Sequence, residues 1–567
     1  MNRSKQRKIN LLQLVVGLIS IVLIVYVGGT FFVRLDLTSE KRFTLDKSSV
    51  SLMKSLQDQV FVKIYLEGDE LPIGFLKLQR SIKEILDELK IYAHDNLEYK
   101  FVNITISSDK ETRAKAINEL VKQGLKPIEL KEKNKTGKES QSIVIPGAIL
   151  SYKGFEIPIN LLKNTKGVSA ETNLNNSIQS LEYELTNAMR KLITERMPQI
   201  AFIEGHGELN EYETMDMSRI LSEYYEVKRG KIGGKFGLLD SFAAVILARP
   251  TTPIDEKDKY VLDQYVMNGG KLIIFADGTS ASKDSLMHSG STIVIPNDLH
   301  LEDLTFKYGA RINYNLAMDI QCDVIGLSTP DVSGRPTIKY FPWYFSPIVA
   351  SDNKHSITKY VNVIKTDFVS TIDTVGNSSK IKKTILLTTS KFTRTQLSPF
   401  KLGIDMVYQQ PQQSMYRNAN QPVAVLLEGN FESLFKNRLI NQFDGYQHFK
   451  AESKSTKILI ISDGDIIRND VSEKGEPFPL GFNRYTRQLF SGNSEFILNA
   501  VNYLTDDEGL MTIRAREIKL RLLDKTKIEG NRSLYQTTNI LLPIVIVILF
   551  GLFMNWKRKK RYATKQK

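Results

Sequence analysis

Between Pro198 and Asp277, blocks of apolar and polar positions predict two successive strand-turn-helix units. Gln199 to Glu204 is a short apolar run closed by Gly205-His206-Gly207-Glu208. Apolar residues then return at helical spacing at Met215, Met217, Ile220, Leu221 and Tyr224. The second unit repeats the order. Phe242 to Ala248 is apolar, Arg249-Pro250-Thr251-Thr252-Pro253 breaks it, and Tyr260, Leu262, Tyr265 and Val266 mark a helix before Gly269-Gly270 and the run Lys271 to Asp277. Strands alternating with single helices predict a parallel sheet covered by helices.

Upstream, residues 34–165 read as a separate α/β unit. Residues 60–66 form a strand, 75–93 an amphipathic helix through Leu78, Ile82, Ile85, Leu86, Leu89 and Tyr92, and 97–106 a second strand. Residues 143–150 and 155–159 suggest a hairpin turning at Lys153-Gly154, while the polar, Lys-rich 131–142 reads as a loop. This order suits a thioredoxin-like arrangement, without the Cys-x-x-Cys of its redox chemistry. Residues 166–197 carry a connecting helix that Pro198 stops.

Downstream, a domain spanning 198–508 is expected to be flavodoxin- or amidotransferase-like, with a large insertion at about 278–455. Within the insertion, 278–290 reads as a loop, 299–308 as a helix, 316–319 as a strand, the Gln-rich 391–417 as a long loop, and 422–427 as a strand. Residues 457–463 return a buried strand and 493–504 a helix, both assigned to the central sheet. Within the membrane-proximal segment 509–534, residues 511–523 fit a strand and a helix equally.

Two further stretches differ from all of these. Residues 10–33 and 535–556 contain no charged residue, and each exceeds the roughly 20 positions a membrane-spanning helix needs. Pro543 is tolerable in such a helix. Basic tails flank both, at 1–9 and 557–567, so the positive-inside rule puts both termini in the cytoplasm and the bulk between them on the other side. In a bacterium this means the inner membrane and the periplasm. A cleaved signal peptide is the alternative for the first stretch.

Composition changes the picture mainly through charge. The formal +14 would suggest nucleic acid, but Arg3, Lys5, Arg7, Lys8 and the seven basic residues from Lys557 to Lys567 carry eleven of it, leaving +3 on the bulk. No nucleic-acid partner is expected. One cysteine, Cys322, excludes an internal disulfide and follows no Gly-rich elbow. There is no P-loop, no Gly-x-Ser-x-Gly and no His-Glu-x-x-His. ATPase, serine-hydrolase and zinc-hydrolase readings therefore lack their motifs. No cofactor, no metal site and no catalytic residue is expected.

The constellation that invites chemistry is His206, Glu208, Asp277, Asp463 and Asp465 at the C-terminal ends of strands, the edge where open parallel sheets bind ligands. The alternative is turn and cap chemistry, with Glu208 near a helix N-terminus and the aspartates capping loops. Trp343 and Tyr344, in an aromatic run between prolines, fit either domain packing or a partner surface. Gly17, Gly28, Gly29 and Gly551 would let other membrane helices approach closely.

Pro198 to Glu208, the 255–270 helix with its closing Gly-Gly, and Gln421-Pro-Val-Ala-Val-Leu-Leu-Glu-Gly-Asn-Phe431 together resemble the gliding-motility-associated ABC transporter substrate-binding component of the GldG type. The resemblance extends over nearly the whole chain. It implies an inner-membrane protein with a large periplasmic region, working with a separate multi-span permease and a cytoplasmic ATPase. Two spans are too few for a transport pathway, which agrees with a permease partner. The expectation is a non-enzymatic accessory or substrate-binding subunit. The alternatives are a membrane-tethered hydrolase using the strand-end carboxylates and His206, or an independent scaffold.

Overall fold

The computed structural model describes residues 3–30, 44–68, 71–104, 110–133, 139–163, 169–194, 196–330, 336–351, 354–376, 379–409, 411–472, 475–507, 509–515 and 525–563. It divides into one unit of Met1–Asp36 with Phe43–Arg516 and a second of Leu37–Arg42 with Glu517–Lys567. The architecture is mixed α/β.

The N-terminal part of the first unit is a four-stranded sheet ordered Leu97–Phe101, Val60–Ile64, Gly147–Tyr152, Phe155–Asn160. The first pair is parallel and the other two are antiparallel. Leu78, Ile82, Leu86 and Leu89 form one stripe of the helix Ile73–Ala93 because three- and four-residue steps share a helix face. They bury against Leu181, Leu185 and Leu192 of the helix Ala170–Ile193 and against Val60, Val62 and Ile64. The turn falls at Lys153-Gly154, both at positive φ, but Ile143 and Val144 belong to another pair. Residues 131–133 and 139–142, expected as loop, are strand. Ile128–Lys133 pairs antiparallel with Glu139–Val144, setting Lys133 opposite Glu139, and 134–138 lie outside the described residues. Lys131-Glu132-Lys133 and Glu139-Ser140-Gln141-Ser142 contain no apolar position, so hydrophobic periodicity does not reveal this pair.

The central sheet has ten strands. Glu226–Lys231, Gln199–Glu204, Ala244–Ala248, Leu272–Phe275 and Thr456–Ile461 run parallel in that order. Both faces are covered except at the edge strand Glu226–Lys231, which is why the other four read as unbroken apolar runs. Ile200, Phe202, Ile246 and Ile273 face the helices Met215–Leu221 and Gly492–Thr505 through Met217, Leu221, Phe496 and Val501. Ala201, Val245 and Ile274 face Glu256–Met267 and Glu302–Tyr308 through Leu262, Val266, Leu304 and Tyr308.

The sheet is not parallel throughout. Pro422–Gly429 adds antiparallel to Thr456–Ile461, and Ile381–Thr388, Pro336–Ser351 and Cys322–Pro330 continue antiparallel. Residues 278–455 thus lengthen the sheet as well as decorating it. The 391–417 stretch is also not a loop throughout. Thr393–Leu397 pairs with Asn315–Asp319 and Phe400–Gly403 with Ser291–Val294, partners far away in sequence. The 278–290 loop contains the helix Lys283–Ser289, ended by Gly290 in the left-handed conformation.

Residues 511–515 are helical, within Leu510–Ala515, and 516–524 lie outside the described residues. The helix Arg3–Thr30 carries the apolar stretch Leu11–Leu23, and residues 31–33 of the expected span lie outside the described residues. In the second unit the helix Lys525–Ala563 contains Arg532–Lys557, long and apolar enough to cross a membrane, with Pro543 inside it.

Candidate functional site

The parallel strands end at Glu204, Ala248, Phe275 and Ile461, and the residues just beyond these ends form two charge clusters. The first is built on Arg249. It directly follows a strand with φ +56°, a conformation uncommon outside glycine, while its N–H still donates to Phe275 O. The turned backbone sends the guanidinium along the strand ends. Nε donates to Asp277 Oδ2 at 2.8 Å, and Nη1 lies 3.4 Å from Asp465 Oδ1. Asp277 Oδ1 accepts the Gly464 N–H at 2.6 Å. A Cβ on Gly464 would meet Arg249 Cγ at 2.3 Å, so only glycine lets this loop lie against the arginine.

Asp463 is fully buried, and its two oxygens accept the N–H groups of Asp367 and Asp465 at 2.9 and 2.7 Å. Burial and the neighbouring Asp465, Asp277 and Asp367 still push its carboxyl well above the usual range. Asp465 is pushed up to about 6, by burial first, with Arg249 opposing and Asp277 adding. Asp367 goes the other way. Burial works against its charge, but Lys283 at 3.9 Å and Lys365 at 3.3 Å, together with a hydrogen bond from the Ser346 hydroxyl, bring it down to about 2. Arg468 joins Asp465 at 3.5 Å to Glu213 at 3.1 Å. The cavity beside Lys365, Asp367, Asp465 and Arg468 is about 20 Å³, room for roughly one water.

The second cluster is built on His206, which is 6% exposed. Nδ1 lies 3.0 Å from Glu208 Oε1 and Nε2 lies 3.1 Å from Asp258 Oδ2. Hydrogen bonds to Asp258 and then Glu208 outweigh burial and raise the imidazole to about 9, so both nitrogens donate at neutral pH. Asp258 sits in the first turn of Glu256–Met267, which Asp255 caps, and burial of its carboxylate is overcome by His206 and by the Gly234 N–H. The Thr251 and Thr252 N–H groups donate to His206 O at 2.9 and 3.0 Å. Glu208 is not near a helix N-terminus, because the next helix starts at Met215. It accepts the His206 N–H at 2.6 Å and closes the turn instead.

The strand-end candidates therefore divide. Asp277, Asp463 and Asp465 meet around Arg249, whereas His206 and Glu208 meet around Asp258. The sequence reading missed Arg249, Asp258, Lys365 and Asp367. Arg249 had a signal: it follows an apolar run just as Asp277 follows Phe275-Ala276, but it was read only as part of a breaker. The Trp343 side chain is 2% exposed and packs with Phe345 and Phe368, so it presents no surface. Tyr344 is partly buried beside Tyr416. A Cβ on Gly17 or Gly551 would meet nothing within 4 Å, and Gly28 and Gly29 lie in the helix Arg3–Thr30. Among the described residues no group of His, Cys, Asp and Glu could hold a metal ion.

The family model described as "ABC-type uncharacterized transport system" matches residues 197–500, the stretch that holds both clusters and most of the central sheet. The chain belongs to this family. As a member it has an accessory, transporter-associated place beside an ABC transporter. A second model, "Domain of unknown function (DUF7088)", matches residues 39–151 in the N-terminal part. An "Uncharacterized protein" of Borreliella burgdorferi is 22% identical over 571 residues, covering 98% of this chain and 99% of the relative. Two solved structures are more distantly similar. The mmIFT52 N-terminal domain has a TM-score of 0.31 at 12% identity, over 54% of this chain and 97% of that one. The exo-beta-1,4-mannosidase Op5Man5 from Opitutaceae bacterium strain TAV5 has 0.21 at 8%, over 81% and 55%. Scores of this size carry no argument about the fold.

Proposed function

We propose that the chain is a non-catalytic subunit of an ABC transporter-type complex, anchored in a bacterial inner membrane by both apolar helices, with both termini cytoplasmic and the bulk periplasmic. The observation that carries this reading is the family match over 197–500. The basic residues outside each apolar stretch support the orientation.

A non-catalytic role rests on the engagement of the strand-end groups. Both His206 nitrogens face carboxylates, Asp463 accepts two backbone N–H groups, and Arg249 is committed to Asp277 and Asp465. The polar cavity beside them is about 20 Å³, too small for a substrate. The N-terminal sheet order, one parallel pair extended by an antiparallel pair, suits a thioredoxin-like unit and the five parallel strands a flavodoxin-like one. The partners are a multi-span permease and a separate P-loop ATPase. The link to gliding motility rests on the resemblance to the GldG type.

Gentle solubilisation of native membranes and purification through a C-terminal tag tests the proposal. A multi-span permease and a P-loop ATPase should co-purify at fixed ratio. Recovery of the chain without either, in several mild detergents, refutes it.

A further inference from the structure

A cleft of about 260 Å³ opens at the opposite end of the sheet from the two charge clusters. The last turn of Ala170–Ile193 supplies Arg190 and Lys191, the segment after Met215–Leu221 supplies Glu223 and Tyr224, and the end of Gly492–Thr505 closes it. Its volume falls just short of the roughly 300–1,000 Å³ of sites for drug-sized ligands, so an occupant must be small.

The polar groups are sorted by depth. The Arg190 and Lys191 side chains are only 23% and 19% exposed, whereas the carboxylates Glu223 and Asp507 sit at the rim at 61% and 80%. The inner wall is therefore rich in donors. Arg190 makes one side-chain hydrogen bond, from Nη2 to Asn187 Oδ1 at 2.9 Å, out of the five a guanidinium offers. Buried Asp506 lies 3.5 Å from Nη1, beyond good hydrogen-bond distance, and balances the Arg190 charge. Lys191 stands 4.3 Å over the Tyr224 ring and donates a long hydrogen bond to Glu223 Oε2 at 3.4 Å, an exposed carboxylate whose charge solvent screens. One inner cation is thus left without a buried counter-charge. The Tyr224 ring, Met197 and Pro198 give the cleft an apolar side.

We infer that this cleft is a binding site for a small organic monocarboxylate, its carboxylate on Lys191 and the free N–H groups of Arg190, its short hydrocarbon body against Tyr224 and Met197. A single negative charge suits Lys191, whose carboxylate partner Glu223 is solvent-exposed and free to swing away, and a planar carboxylate suits the guanidinium fork. The inference does not depend on the transporter reading, and no strand-end residue takes part in it.

Butyrate titrated into the detergent-solubilised full chain, followed by calorimetry and ligand-observed NMR, tests it. Butyrate should bind saturably, with butyramide at least tenfold weaker. Lys191→Gln should weaken butyrate at least fivefold, and Met197→Trp, which fills the cleft and leaves the charges in place, should abolish binding. Both variants must melt with the wild-type profile; if Lys191→Gln does not fold, Met197→Trp and the amide decide alone. Equal binding of butyramide, butyrate binding unchanged in a folded variant, preference for inorganic phosphate, or no saturable binding up to about 50 mM, below which even weak millimolar sites fill, overturns the assignment.

Discussion

His206 is a clamp between two turns. Its raised pKa, to about 9, ties stability to pH with a definite sign. A group whose folded pKa lies above its unfolded value of about 6.5 contributes fully below that value and loses the contribution as pH rises through about 9. The difference corresponds to about 3 kcal/mol. His206→Gln should therefore destabilise by about 3 kcal/mol near pH 6, and the gap from wild type should narrow towards pH 10. Urea midpoints of both proteins across this range check it, and a gap independent of pH would show that the imidazole is neutral.

The aspartate cluster makes a second residue-scale prediction. Gly464→Ala should cost about 1–3 kcal/mol by pushing Arg249 off Asp277. In an Arg249→Gly background the same change should cost clearly less, because the Cβ, Cγ and Cδ atoms it strikes are all gone and glycine tolerates the positive φ there. A double-mutant cycle reads the coupling directly. Of these residues, Asp277 and Asp463 were legible in the sequence because each ends an apolar run. Lys365, Asp367 and Asp258 were not, since they reach the site from segments whose partners are distant in the chain.

Legibility follows a different rule among elements. Gln199–Glu204, Ala244–Ala248, Leu272–Phe275 and Thr456–Ile461 were readable because burial on both faces leaves an unbroken apolar run. Glu226–Lys231 pairs on one side only, with Gln199–Glu204, and its Glu-Val-Lys-Arg-Gly-Lys sequence serves an exposed edge, so periodicity passed over it. The reversal of strand direction at Thr456–Ile461 was also invisible, because direction is set by which distant strand lies alongside. The seam should nevertheless dominate the energetics. Leu459 is fully buried, opposite Ile273 on one side and Leu426 on the other. Leu459→Ala should cost about 2–5 kcal/mol through lost burial and a residual cavity. Val227→Ala on the edge strand should cost about 1 kcal/mol or less, as a partly exposed site. Urea unfolding monitored by circular dichroism separates the two, and equal costs would mean that the edge strand is covered in the native assembly.

At the scale of the molecule, the two charge-free stretches are compatible with membrane anchoring, but apolar periodicity within one chain carries no information about partners on other chains. The anchoring proposal makes its own prediction. Arg532–Lys557 is 26 residues, which at about 1.5 Å per residue exceeds the roughly 30 Å hydrocarbon core. Burying such a helix is effectively irreversible compared with any peripheral attachment. Removal of residues 525–567 should therefore leave a protein held by the N-terminal helix alone, and removal of 1–30 one held by the C-terminal helix alone. Both should stay in the membrane fraction after alkaline carbonate washing, and only the double deletion should be released. If removal of 525–567 alone releases the chain, the N-terminal helix is not an anchor in the mature protein, and the cleaved-signal alternative takes its place. Should the double deletion stay with the membrane but wash off in carbonate, the folded part itself binds a membrane partner. The same fraction would then be the place to look for the permease.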